Sequence, residues 1–156
     1  MRIASPAFQN GGRIPAKYTC DGENISPPLK FSDIPEDAAC LVLIMDDPDV
    51  PRQIREDRMF DHWVVFNIDS SVRNINENSV PKVSVLGRNT AGSNRYTGPC
   101  PPSQYEPKEH RYFFRLYALS SKLDLEEGVS KKEVEHAMNG KIIGNAEIIG
   151  RYSRQV

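Results

Sequence analysis

The chain has 156 residues, with 20 basic against 21 acidic side chains, 38% apolar and 26% charged residues. That length suits one domain, residues 1–156, whose core buries roughly two thirds of the unfolded surface. The near-neutral charge excludes nucleic-acid binding by bulk electrostatics, and the apolar content excludes a disordered chain.

The N-terminus, "MRIASPAFQNGG", has neither the charged start nor the apolar centre of a secretory signal, and no stretch is long enough to span a bilayer. A cytoplasmic chain without stable membrane insertion is therefore expected. "NGGR" (10–13) and "CDGENISPP" (20–28) read as turn-forming loops. The continuous apolar run "ACLVLIM" (39–45) predicts a strand covered on both faces.

"DDPDVPR" (46–52) follows directly. Pro48 and Pro51 fix their own φ and restrict the residue before each, which pre-sets Asp47 and Asp49 at the strand end. Either isomer of the Val50–Pro51 bond is compatible with the sequence. Asp46 alternates to the opposite face of the strand and is left out of any site formed by Asp47. "RQIREDR" (52–58) reads as a solvated loop or short helix.

"HWVVFNI" (62–68) predicts a second strand by its β-branched and aromatic content. Residues 87–109 have no periodicity and are dense in Gly, Pro, Ser and Asn; a loop this long in a compact domain usually lines a functional site. It delivers the chain to "HRYFFRLYAL" (110–119), where His110, Tyr112, Phe114, Leu116 and Ala118 share one face and Arg111 and Arg115 the other. Ser130 with Glu133 forms a capping box, Val129 and Val134 a hydrophobic staple, and Asn139-Gly140 a stop, so one helix is predicted between them. "NAEIIGRY" (145–152) predicts a last strand. Short apolar segments punctuated by 12 prolines and 10 glycines predict a mainly β sandwich with long loops.

Asp47, Asp49, His62, His110 and Tyr112 all stand at strand ends and either converge on one rim or are ordinary terminal polar residues. A two-histidine, one-carboxylate metal site finds no support, because no pair of histidines is spaced to ligate from one element. Cys100 as a nucleophile is disfavoured, since "GPCPP" supplies few backbone N–H donors for an oxyanion. Cys20 and Cys100 lie in loops that could meet, but a cytoplasmic setting favours free thiols over a disulfide. Cys40 reads as a small buried hydrophobe.

The blocks "DGENISPPL", "DDPDVP", "DHWVVFNI", "GPCPP" and "HRYFFRLYAL", in this order, resemble the phosphatidylethanolamine-binding protein family, most of all its bacterial and archaeal branch, over about residues 3–152. That branch is similar to the Raf kinase inhibitor proteins of animals. The resemblance implies a sandwich of two antiparallel sheets with a few peripheral short helices and a small anion-binding pocket at one end. The pocket would be built from Asp47, Asp49, His62, Cys100, Pro101, Pro102, His110 and Tyr112. It would take a phosphate or phospholipid-headgroup ligand. Either the histidines, protonated beside Asp47 or Asp49, donate to phosphate oxygens together with the Tyr112 hydroxyl and backbone N–H groups of residues 98–102, or the carboxylates orient the histidine tautomers or accept from a headgroup amine. No cofactor is expected. A partner protein such as a kinase or protease, and homodimers, are implied by resemblance only. The alternative reading is a hydrolase using a His/Asp pair in the same pocket.

Overall fold

Two antiparallel sheets pack face to face in the computed structural model, which describes residues 1–155. The smaller sheet joins β1 (Arg2–Ala4), β2 (Leu29–Ser32) and β5 (Asn74–Ile75) in the order β1-β2-β5. The larger holds β3 (Cys40–Asp47), β4 (Phe60–Asp69), β6 (Val85–Leu86), β7 (His110–Leu119) and β8 (Ile142–Tyr152), ordered β6-β4-β3-β7-β8. Helix α1 (Lys131–Met138) lies on the outer face of this second sheet.

β3 is central and buried along its whole length, which is why its sequence is apolar without alternation. Leu41, Leu43 and Met45 point into the core between the sheets, with Trp63, Tyr112, Phe114 and Leu116. Val42 and Ile44 point the other way, into a second core closed by Val134 and Met138 of α1. The capping box forms as the sequence predicts. Glu133 N–H donates to Ser130 Oγ at 3.2 Å and Ser130 N–H to Glu133 Oε2 at 2.8 Å.

The outer edge of β8 is covered over its second half by residues 11–14, through Gly11 N–H to the Ile149 carbonyl and Arg151 N–H to the Gly12 carbonyl. Val50–Pro51 is trans; among the described residues the cis peptide bond is Glu106–Pro107. The expectation of free thiols is overturned, since Cys20 and Cys100 are bonded with an S–S distance of 2.08 Å. Their loops lie side by side, held by Cys20 N–H donating to the Pro99 carbonyl at 3.0 Å, which brings the two sulfurs within bonding reach. Cys40 is free and buried, as its apolar setting predicts. Among the described residues no helix is long and apolar enough to cross a membrane.

Candidate functional site

The ends of β3, β4 and β7 meet at one rim of the larger sheet, and a β-bulge decides which side chains face inward. Met45 pairs with Trp63 and Asp46 with Asp61, leaving His62 as an extra residue between them. Strict alternation would turn His62 away from Trp63; the bulge brings it to the inner side, where its ring lies 4.6 Å from Phe60 and 5.3 Å from Tyr112 between centroids.

A cavity of about 160 Å³ opens there, room for roughly five water molecules at their liquid volume. Asp47, His62, His110 and Tyr112 line it with the Cys100-Pro101-Pro102 loop, so the structure brings together seven of the eight residues named from the sequence. Val50, Ile54 and Phe60 make much of the remaining wall apolar. Asp49 does not line the cavity. Its carboxylate turns to Arg111, receiving the backbone N–H, Nε and Nη2, each at 2.9 Å. Burial raises its pKa, but the Arg111 bonds outweigh that and hold it below the usual carboxylate range.

Asp47 is 3% exposed and both its oxygens are engaged inside the protein. Oδ1 accepts the Asp49 N–H at 2.7 Å, a turn that the intervening Pro48 favours. Oδ2 accepts from His110 Nδ1 at 2.7 Å, while His110 Nε2 lies 3.0 Å from the Pro107 carbonyl. Both ring nitrogens of His110 thus face acceptors, an arrangement fully satisfied by the imidazolium with Asp47 as its counter-ion.

His62 differs. Its Nδ1 lies 2.6 Å from the Thr97 carbonyl, which can only accept, so Nδ1 carries the proton and Nε2 keeps its lone pair. Burial pushes the His62 pKa down, more strongly than the Thr97 carbonyl and the Asp47 charge push it up, and the ring is neutral. No partner within the described residues meets His62 Nε2 or the Tyr112 hydroxyl. Burial also raises the Tyr112 pKa, which keeps that hydroxyl protonated as a donor.

The loop from 98 to 102 offers little backbone. Gly98 N–H is taken by Asn24 Oδ1 at 2.8 Å, and Pro99, Pro101 and Pro102 have none. Only the Cys100 N–H remains without a partner among the described residues. Gly98 itself is obligatory: a Cβ there would collide with the Tyr18 carbonyl and the Asn24 side chain. Among the described residues no three His, Cys, Asp or Glu side chains gather as metal ligands.

Thr97, Phe60 and Pro107 escaped the sequence reading. Two of them act through backbone carbonyls, which leave no mark in residue type. Lys131 escaped too. It sits 8% exposed behind the rim, with Nζ 3.2 Å from Asp46 and 2.9 Å from Asp61, on the face opposite His62.

A model of the phosphatidylethanolamine-binding protein family matches residues 4–153. A relative from the archaeon Methanothermobacter thermautotrophicus is 48% identical, over 99% of each chain. In three dimensions the chain is similar to a putative phosphatidylethanolamine-binding protein homolog from Chlamydia trachomatis, with a TM-score of 0.93 at 47% identity over 99% and 97% of the two chains. It is also similar to YbcL of E. coli, described as a member of the mammalian PEBP family, with a TM-score of 0.87 at 28% identity over 99% and 98%. Matched from end to end in sequence and in fold, the chain belongs to the phosphatidylethanolamine-binding protein family.

Proposed function

We propose that the chain is a non-enzymatic binding protein whose cavity beside His62 takes a phosphate-type anion, free or as a lipid headgroup. The observation that carries this reading is the free Nε2 of the buried, neutral His62 in a cavity that also holds the unpartnered Tyr112 hydroxyl. A phosphate monoester that keeps one proton donates its O–H to Nε2, while its other oxygens accept from Tyr112 and the Cys100 N–H. A dianion binds instead with His62 taking a proton from solvent, since a desolvated anion and a neutral acceptor cannot share the cavity unbridged. Above the second phosphate pKa of about 6, where the free ligand is mainly the dianion, either route takes up about one proton from solvent, and affinity rises as pH falls towards the phosphate and imidazole pKa values.

The hydrolase reading has less support. His110 offers no open ring nitrogen to a substrate, because Asp47 and the Pro107 carbonyl occupy both, and Cys100 is oxidised. Modulation of a kinase or protease, and dimer formation, rest on the family resemblance alone.

Calorimetry with phosphoethanolamine and with inorganic phosphate, in two buffers of different ionisation enthalpy, tests the proposal and separates the two sources of phosphate. Saturable binding with uptake of about one proton is expected, weakened about tenfold or more in His62→Ala. Binding that releases protons, or that His62→Ala leaves intact, contradicts it.

A further inference from the structure

Beyond β6 the chain continues antiparallel to β4 and meets the bulge twice. Thr90 exchanges two hydrogen bonds with Asp61: its N–H donates to the Asp61 carbonyl at 2.9 Å and its Oγ1 accepts the Asp61 N–H at 2.8 Å. Thr97 does the same with His62, donating its N–H to the His62 carbonyl at 3.1 Å and accepting from the ring Nδ1 at 2.6 Å. The loop between the two threonines closes on the side chain of Asn89.

Asn89 is 4% exposed and does not line the His62 cavity, yet both ends of its amide are engaged. Nδ2 donates to the Arg95 carbonyl at 2.7 Å and to Thr97 Oγ1 at 3.0 Å, and Oδ1 accepts the Ser93 N–H at 3.0 Å. Chemistry fixes the orientation of this amide, since the Arg95 carbonyl can only accept and the Ser93 N–H can only donate. Among the described residues no other hydrogen bond joins residues 88–90 to residues 95–97. Tyr96 and Gly98, on either side of Thr97, are tied the other way, to the Tyr18 carbonyl and to Asn24 Oδ1. Apart from the bonds of Thr97 to His62 itself, the Asn89 amide is thus the tie that keeps Thr97 on β4 while its neighbours turn to the 18–24 loop.

From these contacts we infer that Asn89 is the positioning residue of the ligand site: it acts through Thr97 to hold the proton of His62 on Nδ1 and so leaves Nε2 open as an acceptor. In a neutral imidazole the hydrogen bond made by one nitrogen sets the role of the other. With the Thr97 carbonyl 2.6 Å away the proton sits on Nδ1. Once that carbonyl is free to withdraw, the Nε2–H tautomer gains, and Nε2 can no longer accept a phosphate O–H. Asn89 thereby decides which protonation form of the ligand the site takes. This role rests on the phosphate reading, but the tautomer itself is read without ligand.

Nitrogen-15 NMR of His62 in the ligand-free chain near neutral pH is the test. In Asn89→Ala its two ring resonances should move towards each other, the mark of mixed tautomers, and phosphoethanolamine should bind about tenfold more weakly than to the native chain. Thr97→Val removes the hydroxyl and keeps the carbonyl, and should move the resonances the same way by less. Val134→Ala, a truncation in the core under α1, should leave them in place although it destabilises the fold. Native resonances in a folded Asn89→Ala overturn the inference and assign the placement of Thr97 to Tyr96 and Gly98. Where Asn89→Ala does not fold, unmoved resonances in Thr97→Val do the same. An equal movement in Val134→Ala overturns it as general loosening, and a moved tautomer with undiminished binding overturns it as well. A native chain that binds no phosphoethanolamine removes the phosphate reading instead and leaves the tautomer result standing.

Discussion

At His62 one ring nitrogen is committed to the Thr97 carbonyl and the other is left free in a cavity where burial disfavours charge. Its folded-state pKa lies below the unfolded value of about 6.5, so below that pH the unfolded chain binds more protons than the native one. The contribution of His62 to stability is therefore complete above about pH 6.5 and declines as pH falls through its lowered pKa. Urea denaturation across pH 5 to pH 8 should record that decline, with a shallower slope in His62→Gln; an unchanged slope would mean that folding leaves the His62 pKa where it is in the unfolded chain. His110 makes the contrasting case, with both nitrogens taken and Asp47 beside it at 1% and 3% exposure. Asp47→Asn leaves that ring without its counter-ion in the interior and should cost about 3–5 kcal/mol. A loss below about 1 kcal/mol would show that the pair is not charged.

Among the elements, β3 and β7 were legible because burial wrote itself into them, as a continuous apolar run and as an alternation. The helix was legible because a capping box is a local device: Ser130 and Glu133 need only each other. The three strands of the smaller sheet were missed, since β1 and β5 have three and two residues and are defined by their partners. The bulge at His62 was missed for a related reason, as register belongs to a pair of strands and not to one sequence. Asp49 was misplaced because its proximity to Asp47 in the chain says nothing of Arg111, which reaches it from β7. Asp46 turns to the face opposite Asp47, as alternation predicts, and pairs with Lys131 of α1 and Arg115 of β7. Burial alone would lower the Lys131 pKa, but Asp46 and Asp61 raise it above the usual value, so it stays charged and ties α1 to the rim. Lys131→Met should cost about 3 kcal/mol, because Asp61 loses its cation while Arg115 still serves Asp46. A neutral effect by chemical denaturation would assign the docking of α1 to Val134 and Met138 alone.

Over the whole molecule, the 80-residue separation of Cys20 and Cys100 means that one covalent bond spans much of the fold and ends at the wall of the His62 cavity. Closing a loop of that length in the unfolded chain is worth roughly 4.5 kcal/mol in the chain-entropy description. Cys20→Ser/Cys100→Ser should lower the urea midpoint accordingly, and a shift under about 1 kcal/mol would mean that neighbouring hydrogen bonds already hold the two loops together. The same loop carries Thr97, so sandwich, disulfide and bulge converge on a single consequence, a neutral His62 with its Nε2 open to a ligand. Nitrogen-15 NMR of the imidazoles during a phosphoethanolamine titration near neutral pH tests that claim most directly. In the free chain His62 should appear as the neutral tautomer protonated at Nδ1. On saturation its Nε2 resonance alone should move towards the hydrogen-bonded or protonated range, while His110 stays fixed. A His62 already protonated at Nε2 without ligand, or a saturating response confined to His110, would contradict the account.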